Sequence, residues 1–255
     1  MFLTNTWYVA AEPHEIGREP FARKICNENI VFWRTQNGKP VAFEDRCCHR
    51  RMPLRKGAIE GNILRCFYHG LEFDSSGKCI RIPGQTTIPP GAEVRTYPVV
   101  ERYNWIWIWV GDPALADESL IVPYPWKSAE DWGDKGTYFH VNGDYKLVID
   151  NLLDLSHLAF VHKSTIGNAA VAEHAVLKTL KDEDSVTVAR WTIGQNPPPT
   201  YQKMCGGPEK TIVDRWQNAG VADSDFDQMW HGAARRSILQ YGQNPLWNPY
   251  ETGGR

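Results

Sequence analysis

The sequence predicts an α+β protein of two domains, an all-β first half followed by a second half of helices and strands. Short runs rich in β-branched and aromatic residues recur up to Val110, whereas apolar residues at helical spacing first appear between Tyr145 and Val161. Prolines and acidic residues between these regions are typical of a linker. We therefore expect domains at 1–113 and from 135 to 216, a linker at 114–134, and a divergent or truncated tail at 217–255.

The composition favours a globular protein whose partners are small molecules or other proteins. The chain has 255 residues, of which 42% are apolar and 11 are Trp, so material for a core is ample. A net charge of −2 gives no reason to expect nucleic acid or an anionic membrane as a partner. No apolar run is long enough to span a bilayer, and no signal-peptide pattern opens the sequence. We expect a cytoplasmic protein in which Cys26, Cys79 and Cys205 are buried thiols.

The first half of the sequence is expected to form short strands joined by turns. The Asn37-Gly38 pair separates two β-rich runs and indicates a tight hairpin, because both residues tolerate positive φ. In the last run, tryptophans alternate with Ile106 and Ile108, so this strand is expected to be buried on both faces. Prolines and glycines between 82 and 90 predict a loop. The expected strands are 7–11, 30–35, 41–45, 63–66, 71–74, 78–83, 94–100 and 103–110.

Two loops carry mixed pairs of thiol and imidazole side chains. The first pair is Cys47 and His49, and the second is Cys66 and His69. A zinc finger usually takes its two Cys from one end and its two His from the other, whereas a Rieske [2Fe-2S] centre binds one iron with two Cys and the other with two His. Mixed pairs therefore favour the two-iron cluster, with zinc or unrelated buried thiols and histidines as alternatives. We expect both loops at the ends of adjacent hairpins.

The helical pattern of the second half contains a second set of candidate ligands. Asp154, His157 and His162 interrupt its apolar face. Two histidines five residues apart lie about 140° apart on an ideal helix, so they meet at one ion only if the helix ends, tightens or bulges near Phe160. Two His and one carboxylate, with open positions, form the facial triad of non-haem Fe(II) oxygenases. Taken alone, such a helix is more often structural or a zinc site.

Both motifs resemble those of the Rieske non-haem iron aromatic-ring oxygenases. The two loops match the family's cluster loops, with Leu71 where many relatives have Trp, as in the vanillate O-demethylase and toluenesulfonate methyl-monooxygenase branch. Cys48 stands where Pro is common. The spacing Asp154-x-x-His157-x-x-x-x-His162 matches the motif of the mononuclear iron. The resemblance extends to about Trp216.

The resemblance implies a Rieske [2Fe-2S] domain followed by an incomplete α+β catalytic domain of helix-grip type. By the same resemblance, Asp154 bridges a cluster histidine to an iron histidine across a subunit interface, and Asn151 lies near the iron. An Asp within a helix can instead be exposed or bonded to nearby backbone. The implied ligands are Cys47, His49, Cys66 and His69 for the [2Fe-2S] cluster, and His157 and His162 for the mononuclear Fe(II).

The implied function is that of a terminal oxygenase. A flavin and iron-sulfur reductase passes electrons from NAD(P)H to the cluster, and O2 is used to hydroxylate or O-demethylate an aromatic, acidic substrate. The family is usually trimeric, which predicts a homotrimer. Electron carriage alone, or an inactive truncated paralogue, is the alternative function, and a zinc-binding structural protein is a third.

The sequence after Trp216 does not match the pattern expected of the family. Relatives supply a third iron ligand, Asp or Glu, from a late helix that we cannot align here. Asp225, Asp227 and Glu251 are available carboxylates, but their spacing nominates none of them. We therefore expect a truncated or frame-shifted product as one explanation of this segment.

Overall fold

The computed structural model describes residues 2–130, 136–181, 186–192, 196, 198–204 and 213–219. The chain divides into two compact units, Met1–Thr137 and Tyr138–Arg255. In the described parts of both units, no helix has the length and apolar character needed to cross a membrane.

The described residues of the first unit form eleven antiparallel strands in three sheets, with short 3-10 turns between them. Its sheets have the strand orders β1-β11-β10, β2-β3-β4-β9 and β5-β6-β7-β8. The strands are β1 (Thr6–Ala11), β2 (Phe21–Ile25), β3 (Glu28–Arg34), β4 (Pro40–Glu44), β5 (Ala58–Glu60), β6 (Ile63–Arg65), β7 (Glu72–Asp74), β8 (Cys79–Arg81), β9 (Thr96–Tyr97), β10 (Val99–Arg102) and β11 (Trp105–Val110). The 3-10 turns are Pro13–Glu15, Leu54–Lys56, Pro113–Leu115, Glu118–Leu120 and Pro125–Lys127.

Strand β11 is buried on both faces, as its alternating residues predict. All six of its residues are buried. Its tryptophans pack with Trp7, Ile121 and Tyr124, and its isoleucines enter a separate cluster on the opposite face. Ile121 and Tyr124 belong to the segment expected to be a linker, so that segment covers the tryptophan face of the sheet.

The predicted hairpin at Asn37-Gly38 is confirmed, but two strands were missed and one was split. Strands β3 and β4 pair on either side of this turn, where Gly38 has a φ of 82°. Strand β2 was missed because its charged residues mask the apolar alternation, and β5 because it has only three residues. Pro98, which has no N–H to donate, separates β9 from β10 in the run expected to be one strand.

A second hydrophobic cluster supports the region of the candidate ligands. Cys47 and Cys66 are buried in it beside Trp33, Leu64 and Phe73, which come from three different strands. The described cysteines are all free thiols. Cys79 is buried as expected, Cys26 is only half-buried, and Cys205 lies outside the described residues.

In the described residues of the second unit, short helices accompany a three-stranded antiparallel sheet, which confirms the α+β class. The predicted single helix is in fact broken at Asp154, where the chain leaves α1 and enters a 3-10 turn, Leu155–His157. The elements are α1 (Tyr145–Leu153), α2 (Leu158–Val161), α3 (Ala169–Glu173), β12 (Val176–Lys181), β13 (Val186–Thr192), α4 (Pro199–Met204) and β14 (Val213–Ala219), with sheet order β12-β13-β14.

Candidate metal centres

The two loops of the first unit have the same backbone hydrogen bonds. The N–H of Cys47 donates to the Met52 carbonyl at 2.8 Å, and the Arg51 N–H donates back to the Cys47 carbonyl at 3.0 Å. In the second loop, the Cys66 N–H donates to the Leu71 carbonyl at 2.8 Å, and the Gly70 N–H donates to the Cys66 carbonyl at 3.1 Å. The loops are therefore equivalent in conformation, although only the second joins two strands of one hairpin. The first connects β4 to the 3-10 turn Leu54–Lys56, which corrects the expectation of adjacent hairpins.

These equivalent loops bring the four candidate ligands together as two like pairs. Cys47 and Cys66 are each 2% exposed, and their thiols lie close enough for the charge of one to affect the other. The His49 and His69 rings are exposed, and their centroids are 4.6 Å apart. Thiols lie on the core side and imidazoles on the solvent side. Cys48 is exposed, so Cys47 is the thiol that the first loop places beside Cys66.

The grouping of two thiols and two imidazoles fits a two-iron cluster better than one zinc ion. A tetrahedral zinc site needs four ligands around one ion, whereas a Rieske cluster divides them between two irons. The donor set therefore fits the cluster that the mixed pairs predict.

The thiol pair also has the electrostatics of a site that needs a cation. Burial raises the pKa of the Cys47 thiol to about 12, a backbone hydrogen bond from His49 opposes the rise, and the nearby Cys66 sulfur adds to it. Two adjacent thiolates in a buried position repel each other and lose hydration. Positive metal charge removes this penalty, because a coordinating thiol is deprotonated outright.

A buried carboxylate ties the first loop to the turn that follows it. The Asp45 side chain accepts the Arg55 backbone N–H at 2.7 Å and also pairs with the Arg55 guanidinium. Asp45 lies at the end of β4, two residues before Cys47. This contact therefore fixes where the first loop begins. The sequence did not predict it, because ligand spacing carries no information about supporting residues.

In the second unit, His157 and His162 lie close together because the helix breaks before one and ends before the other. Their ring centroids are 5.5 Å apart. The chain tightens at Leu155–His157, and α2 ends at Val161. Convergence thus comes from a helix end beside Phe160, as expected, together with a break at Asp154 that was not expected.

Asp154 orients the first histidine through its backbone. It is the C-cap of α1, and its carboxylate accepts the Ser156 N–H at 2.9 Å, as an N-cap of the next turn does. Its backbone carbonyl lies 2.7 Å from His157 Nδ1. Since a carbonyl can only accept, Nδ1 carries the proton, and the Nε2 lone pair is the one that remains for a metal.

The remaining candidates are not brought into a site by the described structure. Asn151 is exposed in the last turn of α1. Asp225, Asp227 and Glu251 lie outside the described residues. Gly167, which packs against α2, was not among the predicted residues; a Gly soon after a helical pattern is the only sequence signal for it.

Family models match the sequence of both units. The model of the Rieske [2Fe-2S] domain matches residues 6–98, and that of the vanillate O-demethylase oxygenase C-terminal domain matches residues 141–234. The second match continues beyond Trp216, where we expected the resemblance to end.

Curated relatives and solved structures match over most of this chain. A toluene-4-sulfonate monooxygenase system iron-sulfur subunit of Comamonas testosteroni is 43% identical over 223 residues, covering 85% of this chain and 63% of the relative. A vanillate O-demethylase oxygenase subunit of a Pseudomonas strain is 41% identical over 220 residues, covering 85% and 62%. A crystal structure of dicamba monooxygenase bound to 3,6-dichlorosalicylic acid matches with a TM-score of 0.79 and 36% identity, covering 85% and 64%.

The chain spans a little under two thirds of the length of these three relatives. The Rieske model covers the centre of the first unit, and the oxygenase C-terminal model covers the histidine pair of the second. The chain therefore belongs to the family of Rieske oxygenase components that includes the oxygenase subunits of vanillate O-demethylase and toluene-4-sulfonate monooxygenase.

Proposed function

We propose that the protein is the terminal oxygenase component of a Rieske system, which uses O2 and electrons from an NAD(P)H-dependent reductase to hydroxylate or O-demethylate an aromatic acid. The observation that carries this proposal is the pairing of two buried thiols and two exposed imidazoles on equivalent loops, followed along the chain by a second imidazole pair. The free thiols of the described cysteines fit a reducing cytoplasm.

In the first unit, Cys47 and Cys66 bind one iron of a [2Fe-2S] cluster, and His49 and His69 bind the other. Their placement supports this division, because the thiols lie in the core and the rings face solvent. The exposed imidazoles of His49 and His69 are the side of this site that a partner protein could approach. The cluster supplies one-electron transfer.

In the second unit, His157 and His162 bind a mononuclear Fe(II), which supplies O2 chemistry when bound. A solved structure of dicamba monooxygenase contains non-heme iron with dicamba. The contribution of this chain is to hold His157 with Nδ1 protonated and Nε2 available, through the Asp154 carbonyl. Asn151, three residues before Asp154, would lie near the iron without binding it firmly.

Asp154 has a second proposed role that depends on assembly. In a homotrimer, its carboxylate would link His69 of one subunit to an iron histidine of the next, so that electrons cross between subunits. Support comes from the exposure of Asp154 and from the exposure of His69. A carboxylate that accepts an N–H from a ligating imidazole fixes its tautomer and tunes the metal.

The proposed substrate class rests on three of the relatives. Vanillate, toluene-4-sulfonate and dicamba are named in them, and each is an aromatic acid with a methyl or methoxy carbon. We therefore propose an aromatic acid whose methyl carbon is hydroxylated, or whose methoxy carbon is hydroxylated and leaves as formaldehyde while the ring keeps the oxygen as a phenol.

The cluster assignment is tested with two cysteine variants, one at a proposed ligand and one at the exposed thiol. Cys66→Ser should abolish the visible absorbance and the Rieske-type EPR signal of the reduced protein, because one iron loses a thiolate ligand. Cys48→Ser, a change of the same kind at the exposed thiol, should leave both signals. An EPR signal that survives in Cys66→Ser would refute the ligand assignment.

Oxygenase activity is tested separately with the purified protein and an NAD(P)H-dependent reductase. O2 consumption that requires a methoxybenzoate and yields formaldehyde, or one that requires a methylbenzenesulfonate and yields an alcohol, supports the proposal. Reduction of the cluster without O2 consumption for any aromatic acid would support electron carriage instead.

A further inference from the structure

The turn that joins the two histidines of the second unit packs against a glycine. Gly167 is buried, and a Cβ added to it would lie 1.8 Å from the carbonyl oxygen of Leu158 and 2.4 Å from its carbonyl carbon. Leu158 is the first residue of α2 and follows His157 directly. The contact is with backbone, which cannot rotate away as a side chain can.

Hydrogen bonds hold the same segment from the other side. The His162 carbonyl accepts the N–H groups of Thr165 and Gly167, each at 3.0 Å, and the Thr165 hydroxyl at 3.2 Å. The His162 N–H in turn donates to the Leu158 carbonyl at 3.2 Å. Gly167 therefore donates a hydrogen bond to the backbone of His162, while its Cα lies against Leu158, the residue that follows His157.

We propose that Gly167 is a positioning residue for the mononuclear iron, a role that rests on the proposed function of His157 and His162 as iron ligands. A side chain at this position must either break the Gly167 N–H bond to His162 or push α2 away. Both changes alter the 5.5 Å spacing of the imidazole rings. Ligands held by packed supporting residues bind metal more tightly than loosely held ones.

Space, not backbone conformation, is what requires glycine here. The φ of Gly167 lies outside the left-handed range, so alanine adopts this backbone without torsional strain. Replacement by alanine therefore tests the close approach to Leu158 alone. Gly143 offers a matched control in the same unit, because its nearest neighbour to an added Cβ is a Val141 methyl at 3.9 Å, an ordinary contact.

The experiment measures Co(II) binding by the full-length protein after a chelator has removed the mononuclear iron and left the cluster in place. Gly167→Ala should weaken Co(II) binding roughly tenfold to a hundredfold and change the visible Co(II) spectrum. Gly143→Ala should match the wild type in both measurements. Co(II) binding and spectrum unchanged in Gly167→Ala would overturn the proposal, even if the melting temperature falls, because the role would then be structural only.

A second variant keeps the test decisive if Gly167→Ala does not fold. Thr165→Val removes the hydroxyl bond to the His162 carbonyl without crowding Leu158, and it should weaken Co(II) binding by less than Gly167→Ala. Wild-type binding by a folded Thr165→Val protein would then count against the proposal. Failure of the underlying function is distinguishable, because in that case His157→Ala would leave Co(II) binding unchanged.

Discussion

Gly70 ends the second cluster loop with its backbone in the left-handed region, at a φ of 72°. A Cβ there would lie 3.1 Å from the Pro83 ring, so alanine meets both torsional strain and crowding. We expect Gly70→Ala to lower the free energy of unfolding by about 1 to 3 kcal/mol, since the left-handed conformation alone costs about 1 to 2 kcal/mol. Chemical denaturation followed by tryptophan fluorescence measures the change.

Gly38 provides the matched control for this prediction. It has a φ of 82° with nothing within 4 Å of an added Cβ, so Gly38→Ala should show the torsional cost alone. Equal losses of unfolding free energy in the two variants would mean that the Pro83 ring moves aside at no cost in stability. Arg51 occupies the position of Gly70 in the first loop, at a φ of 56°, and Arg51→Gly should be tolerated, because glycine relieves that strain.

At the scale of elements, the 3-10 turn Pro13–Glu15 ties two sheets of the first unit together. Glu15 accepts the Glu12 N–H at 2.8 Å and pairs with Arg23 of β2 at 2.8 Å. Arg23 also donates to the Ala10 carbonyl of β1 at 2.6 Å. Burial tends to raise the pKa of Glu15, but the Glu12 hydrogen bond and the Arg23 charge outweigh it and hold the pKa below its ordinary value.

This lowered pKa predicts a pH-dependent contribution to stability. A carboxyl group whose pKa is lower when folded stabilises the protein above its unfolded pKa, and the stabilisation is lost as pH falls through the folded pKa. Glu15→Gln keeps an acceptor oxygen and removes the charge, so it should cost about 1 kcal/mol at pH 7. The difference from wild type should shrink as pH falls below about 4. A difference of constant size down to pH 3 in urea denaturation would contradict this account.

Elements whose signal is local could be predicted from the sequence, and those set by distant contacts could not. Strand β11 and the hairpin at Asn37-Gly38 carry their pattern within a few residues. The break at Asp154 was hidden because apolar residues continue at helical spacing on both sides of it. What breaks the helix is the Asp154 side chain, which caps the next turn.

The same distinction separates the candidate ligands from the residues that support them. The thiol and imidazole residues of the first unit could be predicted because each mixed pair lies within four consecutive residues. Gly167 and Asp45 were not, because their partners, Leu158 and Arg55, are recognised only once the chain has folded.

At the scale of the whole molecule, each unit has its own core and its own candidate centre. Among the described residues, the clusters around the cysteines and tryptophans come from the first unit alone, and the small cluster of Leu155, Leu158 and Ile166 comes from the second. The proposed function assigns a one-electron cluster to one unit and an O2-activating iron to the other, and the proposed Asp154 bridge between subunits is the part of it that depends on assembly.

Asp154→Asn tests this connection without disturbing either centre. Asn is as good an N-cap as Asp, so the turn Leu155–His157 should keep its capping bond to Ser156. The contact that orients His157 uses the backbone carbonyl of Asp154 and is unaffected by the substitution. Iron content and the EPR signal should therefore equal those of the wild type, while loss of the carboxylate charge slows oxidation of the reduced cluster in a single turnover by roughly tenfold or more. A wild-type single-turnover rate would show that electrons reach the iron without Asp154, and iron loss would show that its carboxylate supports the site directly.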